Sequence, residues 1–173
     1  SDYKFKKNFY KVGSCKHSDI STFSLHPLKS ITTGEGGVVT TNSNRLFKKI
    51  ILFRSHGMQK NKKKHWDYDI LVNGFNFRLN DIQCALGISQ LEKLSNFIKK
   101  RNLITKKYIN VFKNHPKLKI LKYDKNYRSS HHLFMMSCKN FNLKKKDYFF
   151  KYMYKNKIML QYHYIPIYKF SIF

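Results

Sequence analysis

At 173 residues, with 42% hydrophobic and 16% aromatic content, the chain is too apolar for a disordered segment, yet no apolar run reaches the roughly 18 residues of a membrane span. Its formal charge of +26 raises the prospect of nucleic acid or an anionic membrane, but only Arg45, Arg54, Arg78, Arg101 and Arg128 are arginines, and no nucleic-acid recognition signature accompanies the lysines. Lysine here travels with Asn, Ile, Phe and Tyr, which share A/T-rich codons, so the lysine runs at 62–64 and 144–146 read as solvated surface.

Residues 1–16 read as a polar connector, with no secretory signal. Residues 20–25 read as a strand, with Phe23 and Leu25 on one face and Thr22 and Ser24 on the other. Pro27 bars helix at His26 and continuation of a ladder, which places Lys29 on a bend just past the strand. Gly34, Gly36 and Gly37 turn the chain into a second β-rich run at 38–41. Asn42 or Ser43 then caps a helix in which Leu46, Phe47, Ile50 and Ile51 recur at helical spacing. Gly57 and the lysines at 60–64 mark an exposed loop, ending in the acidic and aromatic run Trp66-Asp67-Tyr68-Asp69.

Asn80 or Asp81 caps the next helix, with Ile82, Ala85 and Leu86 expected on its buried face. Gly87 within it costs about 1 kcal/mol relative to Ala, which implies close backbone packing there. The helical pattern runs through Phe97, Ile104, Tyr108 and Phe112 until His115-Pro116 stops it, a natural domain boundary. This divides the chain at 1–115 and 116–173. Beyond it come expected strands at 119–123, 132–138 and 158–164 and a helix over 143–156, an α+β unit. Cys15, Cys84 and Cys138 are odd in number and form no C-x-x-C pair; they read as small buried hydrophobes in a reducing cytosol. The histidines show no metal-ligand spacing, His131 and His132 falling on opposite faces of a presumed strand, and the glycines at 34, 36 and 37 match no dinucleotide or P-loop fingerprint.

Two blocks carry chemistry. The segment 23–37 reads F-S-x-H-P-x-K-x-I-T-T-G-E-G-G, and residues 74–87 read G-F-N-F-R-L-N-D-I-Q-C-A-L-G. Both resemble the DegT/DnrJ/EryC1/StrS family of pyridoxal-phosphate (PLP) dependent nucleotide-sugar aminotransferases. The resemblance implies an α/β fold of PLP-dependent transferase type (aspartate aminotransferase-like, fold type I). It covers the rear of the large domain through residue 115 and part of the small α+β domain thereafter. It also singles out Lys29 as the lysine that bonds the cofactor and then moves a proton between substrate carbon and cofactor carbon. Relatives performing dehydration carry a histidine at that position, so Lys29 argues for amino transfer.

By the same resemblance Ser24, five before the lysine, binds the cofactor phosphate. Asn76, and more weakly Arg78, reach across a homodimer interface toward the partner's cofactor phosphate. Phe75 stands where the family usually has tyrosine. Arg54-Ser55-His56-Gly57 resembles the family's R-x-H-G segment near the active site. Trp66-Asp67-Tyr68 and Gln161-Tyr162-His163-Tyr164-Ile165-Pro166 resemble a subgroup that aminates a UDP-4-keto-6-deoxy-N-acetylhexosamine with nitrogen from L-glutamate, in pseudaminic acid biosynthesis. There His163 and Tyr164 are expected near the nucleotide sugar. The implied enzyme is cytoplasmic and works by two alternating half-reactions, with ping-pong kinetics.

Family members begin well before residue 1, so the phosphate-binding turn, the ring that stacks on the pyridine and the Asp that pairs with its nitrogen are expected upstream. A chain of this length is therefore expected to be inactive alone. Two competing readings remain at this stage: a non-catalytic remnant of the same fold, and a basic nucleic-acid-binding module recognisable by salt-sensitive DNA binding without PLP uptake.

Overall fold

The computed structural model describes residues 1–121 and 124–173. In chain order these form β1 (Asp2–Phe5), β2 (Asn8–Lys11), β3 (Ser21–Ser24), β4 (Gly37–Thr40), α1 (Asn44–Arg54), β5 (Met58–Lys60), β6 (Tyr68–Ile70), α2 (Asp81–Phe112), β7 (Leu118–Ile120), β8 (Tyr127–Arg128), β9 (Met136–Cys138) and α3 (Leu143–Lys155). A short 3₁₀ turn spans Ile167–Lys169. Every pairing among the described strands is antiparallel: β2-β1-β8, β3-β4, β5-β6 and β7-β9.

The central elements form where local rules place them. Ser43 caps α1 by accepting the Leu46 N–H. Asn80 and Gln83 make a reciprocal capping box at the start of α2, satisfying two N–H groups that the helix leaves without intrahelical partners. The 32 residues of α2 run to the His115-Pro116 stop. Asn142 caps α3 by accepting the Lys145 N–H.

Several expectations need correction. The first residues are a hairpin rather than a connector, with Phe5 opposite Asn8 and Tyr3 opposite Tyr10. Its turn places Lys6 at φ +54°, a left-handed conformation that sequence rules assign to Gly or Asn. The distant β8 completes this sheet, Tyr3 lying opposite Tyr127, so one sheet joins residues from both sides of position 115. The lysine-rich segment is likewise a hairpin, β5-β6, closed where Asn61 Nδ2 donates to Asp67 Oδ2 at 2.9 Å.

The strand expected at 132–138 shortens to β9, because only Met136–Cys138 has a partner in β7. The expected strand at 119–123 is seen as β7; residues 122 and 123 lie outside the described residues. The stretch 158–164 is not a strand, since no described segment offers it a ladder. Alternating residues permit extended chain, but a strand requires a neighbour to pair with.

The buried face of α2 also differs from expectation. Ile82 is 82% exposed, Leu86 is exposed and so is Ala85. The less exposed stripe instead passes through Gln83, Gly87, Gln90, Leu94, Arg101 and Thr105. Phe97, Ile98, Ile109 and Phe112 are less exposed as well, but Gln83, Gly87, Arg101 and Thr105 are polar or small, which hid that part of the stripe from a search for hydrophobic periodicity. Cys84 is exposed rather than buried, on the open side of the helix; Cys15 and Cys138 are partly buried.

Candidate active site

Residues 25–36 form a loop between β3 and β4 whose backbone is tied to one buried residue. Leu25, 6% exposed, donates its N–H to the Gly36 carbonyl at 2.8 Å, and its carbonyl accepts from the Thr33 N–H at 3.0 Å. Thr32 Oγ1 also donates to the Leu25 carbonyl and accepts from the Gly34 N–H, both at 2.9 Å. Within the loop the Lys29 N–H donates to the His26 carbonyl at 2.9 Å, and His26 Nδ1 accepts the Leu28 N–H at 3.2 Å. With Nδ1 accepting, the ring proton sits on Nε2, which faces Glu35 Oε1 at 3.7 Å across the loop. The Lys29 backbone is thus fixed while its side chain is exposed.

Ser24 ends β3, as expected, five residues before that lysine. Its Oγ accepts one long contact, from the His26 N–H at 3.4 Å, which leaves the hydroxyl proton available to an incoming acceptor.

The stripe on α2 is what the loop rests on. Gln83 Nε2 donates to the Glu35 carbonyl at 3.1 Å, and an Arg101 guanidinium N–H donates to the Ser30 carbonyl at 3.4 Å. Between them, Thr33 is only 3% exposed, and a Cβ on Gly87 would stand 2.9 Å from its Cγ2. The close packing implied by Gly87 is therefore the seating of this loop.

Asn76 and Arg78 belong to a second, adjoining unit. Ser55 and Asn76 form an isolated antiparallel bridge, flanked by His56 N–H to the Phe75 carbonyl at 2.9 Å and Phe77 N–H to the Arg54 carbonyl at 3.0 Å. The two segments approach so closely that a Cβ on Gly57 would strike the Val72 carbonyl, and one on Gly74 the Gly57 nitrogen. Phe53, Phe75 and Phe77 pack together, with centroids 5.1 to 6.1 Å apart. Arg78 lines an open cleft of about 520 Å³ with Ser55, His56, Met58 and Lys60. Leu79 leans against Gly36, which joins this unit to the lysine loop.

His163 and Tyr164 lie on irregular chain, their rings 4.4 Å apart; His163 is partly buried and Tyr164 exposed. The charges of His163 and Lys29 both act on a residue outside the two motif blocks, His132. Burial lowers the His132 pKa from its ordinary 6.5, and the nearby charges of Lys29, Arg101 and His163 lower it further. The neighbouring His131 is lowered too, by burial. The charges of Lys29, Arg101 and His163, from three other stretches of sequence, thus all act on His132, while the cleft at Arg78 includes neither Lys29 nor His163. The strand face expected for His132 is not formed, since His132 lies on a bend ahead of β9. The signal that could have found Arg101 is its spacing from Gln83, about five helical turns along one face.

No helix among the described residues is long and apolar enough to cross a membrane. Residues 7–173 match the profile of the DegT/DnrJ/EryC1/StrS aminotransferase family. The UDP-4-amino-4,6-dideoxy-N-acetyl-beta-L-altrosamine transaminase of Campylobacter jejuni (serotype O:23/36, strain 81-176) is 41% identical over the whole chain, which spans 44% of that relative's length. Among solved structures, Helicobacter pylori PseC, an aminotransferase involved in the biosynthesis of pseudoaminic acid, superposes with a TM-score of 0.81 at 39% identity. The match covers 90% of this chain and 41% of that one. Spr1654 of Streptococcus pneumoniae, assigned as a sugar aminotransferase and solved in its PMP form, superposes with a TM-score of 0.84 at 25% identity, covering 92% of this chain and 43% of its own. With the α/β fold of these PLP-dependent transferases and a family match over nearly its whole length, the chain belongs to the DegT/DnrJ/EryC1/StrS aminotransferase family.

Proposed function

We propose that this chain is the lysine-bearing part of a PLP-dependent aminotransferase that uses L-glutamate to aminate a UDP-4-keto-6-deoxy-N-acetylhexosamine, in pseudaminic acid or a related surface glycan. The observation that carries the reading is Lys29, on an exposed bend with its backbone fixed, its side chain making no hydrogen bond to any described residue, and with its charge acting on His132. The donors present suit the cofactor. The Lys29 amine is free to bond an aldehyde, and the Ser24 hydroxyl has a proton to donate to a phosphate oxygen.

When bound, PLP supplies an electron sink for moving an amino group between an amino acid and a keto sugar. Lys29 Nζ would hold the cofactor and would be the group that moves the proton at the substrate carbon. Ser24 anchors the phosphate from the strand end. Asn76 and Arg78 extend from the second unit toward the phosphate of a partner subunit in a homodimer, and His163 and Tyr164 line the nucleotide-sugar side. A division at about residue 115 between the large and small domains, and a cytoplasmic location, complete the reading.

The test is PLP titration followed by borohydride trapping and peptide mapping, in the chain alone and in a fusion supplying the remaining length of the Campylobacter jejuni relative. Label on Lys29 is expected, and Lys29→Ala should abolish both half-reactions, amino donation by glutamate and amination of the sugar. Amination that survives K29A, or a folded fusion that takes no label at Lys29, overturns the assignment.

A further inference from the structure

We propose that Arg101 is a positioning residue for Lys29: it clamps the carbonyl next to the lysine onto α2 and so sets where the lysine side chain emerges. The inference rests on the reading of Lys29 as the cofactor lysine. Its own support is geometric. The Arg101 guanidinium donates to the carbonyl of Ser30, the residue immediately after Lys29, at 3.4 Å across 71 positions of sequence. Gln83 holds the far end of the same loop through the Glu35 carbonyl at 3.1 Å. Gln83 and Arg101 project in the same direction from α2, and Gly87 and Thr105 lie about 40° from them. Thr105 is the buried residue of this helix, 5% exposed.

A single helix face thus meets the loop at Ser30, Thr33 and Glu35. The bonds inside the loop fix its shape, through Leu25, Thr33 and the His26–Glu35 approach, but they do not fix its placement. The β3–β4 pair holds the two ends of the loop and Leu79 meets it at Gly36; α2 adds three contacts, of which Arg101 is the one beside the lysine. A guanidinium suits this task because it stays charged at any working pH and its fork is planar and directional. Lysine can keep the charge and the stem but cannot reproduce the fork. Arg101 is also one of the charges acting on His132, together with Lys29, so the clamp stands at the edge of the reactive cluster.

The experiment compares Arg101→Lys and Arg101→Gln with the unsubstituted protein, in the chain and in the fusion. Three readouts are used: amide hydrogen exchange of the peptide covering 25–36, the rate of borohydride-trapped PLP labelling at Lys29, and the pH midpoint of the visible band of the lysine-bound cofactor. Exchange in 25–36 is expected to rise while α1 and the body of α2 are unchanged. Labelling should slow by about 10- to 100-fold, as expected when a reacting atom is displaced by about an ångström, and the band midpoint should move. A third variant, Arg101→Ala, should recover part of the rate when methylguanidinium is added.

Unchanged exchange in 25–36 in both R101K and R101Q overturns the clamp. If R101Q fails to fold but R101K folds with normal exchange, labelling and midpoint, Arg101 has a structural role only, and the proposal is again overturned. Absence of label on Lys29 in the unsubstituted fusion defeats the cofactor reading instead, and the exchange experiment still decides whether Arg101 holds the loop.

Discussion

None of the charges acting on His132 is a carboxylate; they come from Lys29, Arg101 and His163. Each disfavours a proton on the imidazole, and burial acts in the same direction. The unfolded histidine titrates near the ordinary 6.5 and the folded one lower, so between those values the unfolded chain binds more protons. The His132 contribution to stability is therefore complete above pH 6.5 and is lost as pH falls toward the lowered value. His131 adds to the same loss. Urea midpoints measured between about pH 5 and 8 should decline on the acid side, and His132→Gln should flatten that decline; a slope identical in H132Q would place the acid sensitivity in other groups. At this scale motif matching singles out Lys29 and Ser24 as candidates. Position 132 was not legible, because proximity to Lys29 is a property of the folded chain.

α2 shows how far a local pattern can mislead. Its ends obeyed local rules, with the Asn80–Gln83 capping box at one end and His115-Pro116 at the other. Its packed face did not, because apolar residues occur around the whole helix while the loop-bearing stripe is mostly polar or small. Gly87→Ala tests that stripe. Alanine gains about 1 kcal/mol of helix propensity, but its methyl would stand 2.9 Å from Thr33 Cγ2, a buried, β-branched group that cannot swing away freely. Overpacking of this kind typically costs about 1–3 kcal/mol, so G87A should be net destabilising by up to about 2 kcal/mol. Thr33→Ser removes the methyl and keeps the 2.7 Å bond that Thr33 Oγ1 donates to the Glu35 carbonyl. The double variant should therefore recover stability relative to G87A. Denaturant midpoints of the three variants decide this, and a stabilised G87A would show that the loop is not seated on the glycine.

The chain as a whole exposes 15,110 Å², against about 9,000 Å² for a compact monomer of its mass of 20.8 kDa. Among the described residues only Leu25, Thr33, Gly57 and Thr105 are buried. Large apolar side chains such as Ile82, Ile88 and Val111 on α2, and Ile172 and Phe173 at the end of the chain, stand open. Surface of this extent is usually covered by another part of the fold or by a partner. The isolated chain is accordingly expected to bind a fluorescent apolar dye and to self-associate. Both signals should fall sharply when the remaining length of the Campylobacter jejuni relative is supplied; equal dye binding with and without it would mean that this surface is not what the added length covers.

Sequence alone determined the family, the cofactor lysine candidate, the helix caps and the β3–β4 turn, because each depends on residues near one another in the chain. The missed hairpins had local causes as well: Lys6 occupies a conformation that its side chain does not announce, and the β5–β6 pairing lies within a run of lysines. Only the tertiary structure decided that residues 158–164 form no strand, that β8 joins the N-terminal hairpin, and that Arg101 reaches the carbonyl of Ser30 beside Lys29. Those outcomes depend on which distant segments supply a ladder partner or a packing surface, and local periodicity and capping carry no information about such encounters.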